Sequence, residues 1–328
     1  MTGSPGIQYD ARHITGETRV QIALATTILS NWNYPRPLFS AIPSFEERAP
    51  FLLWTRLSGF DGIDIADSWM DWHSMSEDDL HTLRDQLDDV GLACCALNPY
   101  RCIVVKHPDA ARNEEKLFRS VEVASLLGAT YLNLALSLPF PARMTDRERA
   151  DRQTTLARGE DYSDADFEAT AEKLRRLADR AATRNVHLSI ELHDDGMTDR
   201  SEFALRLDRM VDRPNVGVNP DLQNGFRVPY PTEDWREALL AMAPRTNFWH
   251  VKSCTRRFVP ETGRYQSSRA SLIDGDIDYR WALTKLHEHD FDGWISIESG
   301  GGDSLHTIEE DHNYLRSLIR EWLPLMRL

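Results

Sequence analysis

VHLSIELHDD (186–195), NVGVNPDLQN (215–224), TNFWHVKSC (246–254) and FDGWISIESGGGD (291–303) share one construction. Each is an apolar, β-branched run that breaks at a residue able to bind a metal: Glu191, Asp221, His250 and Glu298. A strand buried on both faces of a parallel sheet reads this way, without polar alternation. In a closed barrel of parallel strands, all the C-terminal ends open on one face, where chemistry is assembled. Four ligand-type residues at four successive strand ends therefore converge. The gaps are 30 residues from Glu191 to Asp221, 29 from Asp221 to His250 and 48 from His250 to Glu298. One strand, loop and helix take roughly 30 residues in a barrel of about 250. The first two gaps fit one unit each, and the third fits one unit with a long insertion.

Working outward, the same alternation fills the chain. Strands are expected at QIALATT, GFDGIDIA, GLACCALN, ATYLNLAL, VHLSIEL, VGVNPD, FWHVKS and WISIES. SEDDLHTLRDQLDDVG reads as a helix with Ser76 as N-cap, acids in its first turn and Gly91 past its end. SDADFEATAEKLRRLADRAATRN places Phe167, Ala171, Leu174, Ala178 and Ala181 on one helical face. Further helices are expected near 44–57, 109–127, 200–211, 232–242, 279–289 and 304–321. Eight strands alternating with eight helices predict an α/β fold, a (β/α)8 barrel forming a single domain over 1–328, with an N-terminal extension at 1–18. Two long loops, about 139–162 and 252–275, are expected to overhang the active face, where βα loops select substrates.

Composition narrows the function. With 41% apolar residues among 328, the chain can bury a large core. Its net charge of −14 disfavours a nucleic-acid partner, since phosphates need clustered Lys and Arg. No apolar run reaches the length of a membrane span, and the first 20 residues lack the apolar core of a signal peptide. Cys94, Cys95, Cys102 and Cys254 show no paired CxxC spacing and are expected to be reduced and mostly buried, in a cytoplasmic protein. Three carboxylates and one imidazole form an oxygen-rich donor set that suits one divalent ion: Mn²⁺ foremost, then Mg²⁺ or Co²⁺, with Zn²⁺ also admitted. Such an ion would make the convergence of three negative charges tolerable. It would also polarise a hydroxyketone carbonyl while a base removes the proton alpha to it.

IELH, NPDLQN, WHVKS, LIDGDIDY and GWISIES together resemble the xylose-isomerase-like barrels of sugar isomerases and epimerases, from about residue 20 onward. The resemblance implies the same metal site and identifies DGDID, around Asp276 and Asp278, as the turn before the seventh helix. Asn224 stands where several ketose epimerases of that family carry a histidine that touches substrate. Arg256 matches a substrate-binding arginine in some of them, with Arg257 as the competing register. Chain length, the HDDG and SGGGD loops and Asn224 are similar to the large subunit of bacterial C-glycoside deglycosidases, which implies a small β-rich second subunit.

The other candidates come from position. His193 lies two residues beyond Glu191 and shares its strand face if the strand continues; it is either a buried structural histidine or the base. Glu191 and Glu298 are the alternative bases. Lys252 bears the same relation to His250 and is either a surface lysine or, on an inward face, one that holds a substrate oxygen. Asn98 ends the third strand before Pro99, as a turn residue or a substrate contact. Trp32, Trp69 and Trp72 follow early strand ends and read as core or as sugar-stacking faces. SGGGD lacks a Walker or GxGxxG context and reads as a loop beside Glu298 rather than a phosphate site. The expectation is therefore an oligomeric metal enzyme acting on a small sugar or glycoside through an enediolate. Its leading form is a lyase that cleaves 3-keto-C-glycosides. The alternatives are an isomerase or epimerase, a dehydratase, and a catalytically silent sugar-binding protein.

Overall fold

The computed structural model describes residues 20–29, 42–141, 156–300 and 303–327. The N-terminal extension at 1–18, Trp32, most of the 139–162 loop and two glycines of SGGGD lie outside the described residues. The strands are β1 (Gln21–Ala25), β2 (Gly62–Ala66), β3 (Ala93–Asn98), β4 (Tyr131–Leu134), β5 (His187–Glu191), β6 (Val216–Asn219), β7 (Phe248–Val251), β8 (Ser253–Val259), β9 (Arg264–Ala270) and β10 (Trp294–Ile297). Eight of them form one sheet in the order β6-β5-β4-β3-β2-β1-β10-β7. Its registered pairs are all parallel. A parallel bridge between Val218 and Thr246 brings the β6 and β7 edges together. The result is the expected (β/α)8 barrel.

The helices between these strands are α1 (Phe45–Leu57), α2 (Glu77–Val90), α3 (Ala110–Leu127), α4 (Asp164–Ala182), α5 (Ser201–Val211), α6 (Leu222–Phe226), α7 (Trp235–Met242), α8 (Tyr279–Glu288) and α9 (Ser304–Ser317). Ser76 closes a capping box with Asp79, and Gly91 ends α2 with φ 73°, a left-handed turn that a Cβ would strain. Phe167, Ala171, Leu174, Ala178 and Ala181 of α4 are all buried. Each fully buried side chain of the size of Leu or Phe contributes about 1.5–3 kcal/mol.

Two departures from the sequence reading have simple causes. The stretch 252–275 is largely an antiparallel hairpin, β8 with β9, registered from Ser253–Ala270 to Val259–Arg264. It buries little on either side, so no apolar alternation announces it. The five-residue α6 starts directly after Asp221 and is too short to show a helical period.

Inside the barrel the side chains are layered. Ala23, Cys95, Ala96, Phe248 and Trp294 form one buried cluster with Tyr131 packed on it. Tyr131 of β4 stacks on Phe248 of β7 at 5.2 Å, a contact across non-neighbouring strands that only the lumen allows. A Cβ on Gly62 would meet the Trp294 ring at 2.8 Å, so this glycine makes room for the plug. Two residues further along the strands, polar groups replace apolar ones: Asn133, Asn219, His250 and Ser296, with Asp64 beside them, all fully buried.

Candidate metal centre

One step higher lie Glu191, Asp221 and Glu298, and His250 reaches them from the polar layer below. Glu191 closes β5, Asp221 follows β6, His250 sits within β7 and Glu298 follows β10. One donor atom from each lies within 4.8 Å of all the others. His250 Nδ1 is 3.5 Å from Glu191, 3.6 Å from Glu298 and 3.9 Å from Asp221. His250 Nδ1 and Asp221 Oδ1 are buried without hydrogen-bond partners, which buried polar atoms rarely tolerate. A divalent ion bound by Glu191, Asp221, His250 and Glu298 would satisfy both, and the hard, oxygen-rich set fits one.

The groups around these donors fix their orientation. Asn133 donates to Glu191 Oε2 at 2.8 Å. Asn224 donates to Glu191 Oε1 and to Asp221 Oδ2, each at 2.9 Å. Asn219 accepts the His250 backbone N–H at 2.8 Å and donates to Asn133 at 3.0 Å. Lys252 pairs with Asp221 at 2.7 Å and also with Glu298. Three ionised carboxylates against one ammonium leave two negative charges, the charge that one dication would balance.

Electrostatics set the proton inventory. Burial, with Glu298 and Glu191 nearby, pushes Asp221 up to about 7 despite relief from Lys252. Burial also acts to raise Glu191, but the His250 ring and the Lys252 charge outweigh it and hold that carboxyl well below its usual range. Burial opposes the charge on Lys252, and Asp221 and Glu298 more than restore it. Burial opposes the charge on His250, but Asp64 and Glu191 hold its ring well above the usual histidine range, so a metal must displace a proton there as well as one from Asp221 below about pH 7. The expected result is Mg²⁺ affinity that falls with pH by about tenfold per unit for each proton displaced, most steeply below 7 where Asp221 and His250 both release one. Calorimetric titrations in buffers of different ionisation enthalpy count the released protons; constant affinity from about pH 5.5 to 7.5 would overturn this expectation.

His193 is buried beside the donors. Its Nδ1 lies 2.6 Å from the Asp194 carbonyl, so Nδ1–H donates there and Nε2 keeps its lone pair. Tyr100 meets the ring edge-on at 6.0 Å. Burial pushes the imidazole down to about 4 against the pull of Glu191 and Asp194. Two buried ion pairs flank this part of the rim: Arg227 with Asp194 at 2.6 Å and Arg101 with Asp195 at 3.1 Å.

The other sequence candidates are placed unevenly. Lys252 and Asn224 join the cluster. Asn98 points its Oδ1 at Asn133, 3.3 Å away, and so belongs to the network that supports Glu191. The Arg256 guanidinium donates to the carbonyls of Val228 and Tyr230 and lies over the Tyr265 ring at 3.6 Å, which ties the hairpin to the loop after β6. Trp69 packs edge-on against Phe51, and the Trp72 indole donates to Ser120; both belong to the core rather than to the centre. Asp276 accepts the Arg256 backbone N–H, and Asp278 caps α8. All four cysteines are buried and free. Sequence reasoning missed Asp64, Asn133, Asn219 and Ser296; the available signal was a lone polar residue at the inward parity of a buried strand.

The chain matches the family described as xylose isomerase-like TIM barrel over residues 52–318 and belongs to it. Among solved structures it is similar to a xylose isomerase-like TIM barrel protein from Mycobacterium smegmatis, solved in complex with magnesium. That match has 28% identity and a TM-score of 0.79, covering 93% of this chain and 98% of the other. It also resembles L-ribulose 3-epimerase, at 16% identity and a TM-score of 0.69, covering 92% and 94%. A 3-keto-D-glucoside 4-epimerase from E. coli follows at 14% identity and a TM-score of 0.63, covering 91% and 99%. No curated protein matches the chain. Among the described residues, no helix is long and apolar enough to cross a membrane.

Proposed function

We propose that this protein is a divalent-metal-dependent enzyme that removes the proton alpha to the carbonyl of a sugar or related polyhydroxy compound, with isomerisation or epimerisation as the outcome. The observation that carries this reading is the convergence of Glu191, Asp221, His250 and Glu298 beside a buried histidine with a bare Nε2. Family membership and the sugar epimerases of the same fold support it. The bound ion, Mn²⁺ in our reading or Mg²⁺ as in the mycobacterial protein, supplies Lewis-acid polarisation and electrostatic stabilisation of developing oxyanion charge. His193 takes the proton at Nε2. Lys252 offsets carboxylate charge and presents an ammonium to a substrate oxygen. Asn224 and Asn133 hold the carboxylates at fixed angles.

A second reading rests on Asn224. Its amide is spent on Glu191, Asp221 and the Leu192 carbonyl, so this position offers no second acid to reprotonate the carbon from the other side. Loss of a group beta to the carbonyl would then follow, as in cleavage of a 3-keto-C-glycoside, with a small β-rich second subunit. Turnover of ketoses and 3-keto-glycosides in deuterated water with Mn²⁺ tests both readings. Each predicts deuterium at the alpha carbon or a primary isotope effect from substrate deuterated there, and the product separates the two. Full retention of hydrogen without an isotope effect would overturn proton abstraction.

A further inference from the structure

We infer that Asp64 is a positioning residue that fixes His250 as an Nδ1 ligand. The inference deepens the metal-enzyme reading and rests on it. Asp64 Oδ2 lies 2.8 Å from His250 Nε2. The same oxygen accepts the Ser296 hydroxyl at 3.1 Å. Asp64 and His250 are both fully buried, so no water competes for this contact. A carboxylate facing a ring nitrogen takes its N–H, so the proton that the ring gives up to a metal is the one on the other nitrogen, which then offers its lone pair. That other nitrogen, Nδ1, is the one that faces Glu191, Asp221 and Glu298 and lacks a partner.

The barrel makes the reach possible. Asp64 is on β2 and His250 on β7, with β1 and β10 between them in the sheet. β1 offers alanine at the paired positions: Ala25 opposite Asp64 and Ala23 opposite Ser296. A larger residue there would fill the space through which the Asp64 side chain crosses. Ser296 in turn pairs with His250 in register, so the hydroxyl pins the carboxylate at the level of the ring. Carboxylate–histidine–metal chains of this kind hold ring orientation and raise ligand basicity, and their loss costs about 10–100-fold in metal affinity.

The test uses the full chain, Mg²⁺ as the probe and His250 imidazole ¹⁵N signals assigned by their loss in His250→Gln. Wild type is expected to show a slowly exchanging Nε2–H with and without metal, and an Nδ1 signal that shifts on loading. Asp64→Ala should lose the protected Nε2–H and weaken Mg²⁺ binding by about 10–100-fold. Asp64→Asn, which keeps a carbonyl acceptor, should fall between the two. If Asp64→Ala does not fold, Ser296→Ala provides the second variant, with loss of a few fold and faster Nε2–H exchange. Unchanged affinity and an unchanged Nε2–H in a folded Asp64 variant, or coordination through Nε2, would overturn the proposal. A wild type that binds no Mg²⁺ or Mn²⁺ but keeps the protected Nε2–H would instead sink the metal reading. A wild type without that proton would sink the role of Asp64.

Discussion

Alanine in place of Glu191, Asp221, His250 or Glu298 is expected to remove metal and activity together while the barrel still folds. Removing a group that only orients a ligand already costs about 10–100-fold in affinity, so loss of a ligand itself should cost at least about 100-fold. Fold and metal separate here because the donors sit above a filled lumen: the Trp294, Phe248 and Tyr131 plug keeps its own packing and loses only the His250 ring edge in His250→Ala. The metal-free protein should keep its melting temperature in Asp221→Ala, or gain slightly. That substitution removes a buried carboxylate held close to two others, whose mutual repulsion Lys252, His250 and the Asn224 amide offset. Glu191→Ala should be the least tolerated, since it strands the amide groups of Asn133 and Asn224 without an acceptor at that carboxylate. Elemental analysis after exhaustive washing reads the metal, and thermal unfolding reads the fold. Full occupancy in any two of the four variants would remove the site as drawn.

The donors were legible because each stands at the end of a strand whose apolar run is visible in the chain, and strand ends of a parallel barrel share one face. What supports them was not legible. Asp64 lies in FDGIDIA only three residues after Asp61, which faces the other way and pairs with Arg316 at the surface. Parity within the apolar run GIDIA points to Asp64, but what the acid does there depends on the alanines of β1 and on Ser296, far away in sequence. Asn98 shows the converse. Its place at a strand end before Pro99 reads as a turn residue or a substrate contact, and only the fold shows that its oxygen accepts from Asn133 in the lumen. Arg256 fits a family register, yet in this chain the hairpin brings Tyr265 under it and the loop carbonyls around it. Side chains on β8 and β9 follow the pairing of that ribbon, which no apolar pattern encodes.

His193→Ala is expected to keep its metal and bind substrate, yet lose about 10²–10⁴-fold in turnover, the usual scale of general acid–base catalysis. The contrast with Glu191→Ala, two residues away, separates a proton carrier from a ligand. Sequence alone puts the acid limb of the pH profile near the reference histidine value of about 6.5. Burial moves it: the ring, opposed by Glu191 and Asp194, sits at about 4 and is a neutral acceptor over the ordinary range. At saturating metal, wild-type turnover should therefore persist to roughly pH 5 and then fall, while at limiting metal the fall should come earlier and steepen below 7, where Asp221 takes its proton beside the protonated His250. A stability measurement tests the same ring without catalysis. The folded-state value lies below the unfolded one, so the unfolded chain binds the proton first, and stability is present above about 6.5 and lost as pH falls toward 4. Over that window the difference in stability between wild type and His193→Ala should change with pH in denaturant titrations of the metal-free protein, while the raised carboxyls of Asp67, Asp199, Asp221 and Asp311 contribute with opposite sign to both. Near-normal turnover in His193→Ala with the same acid limb would make His193 structural and pass the base role to Glu191 or Glu298.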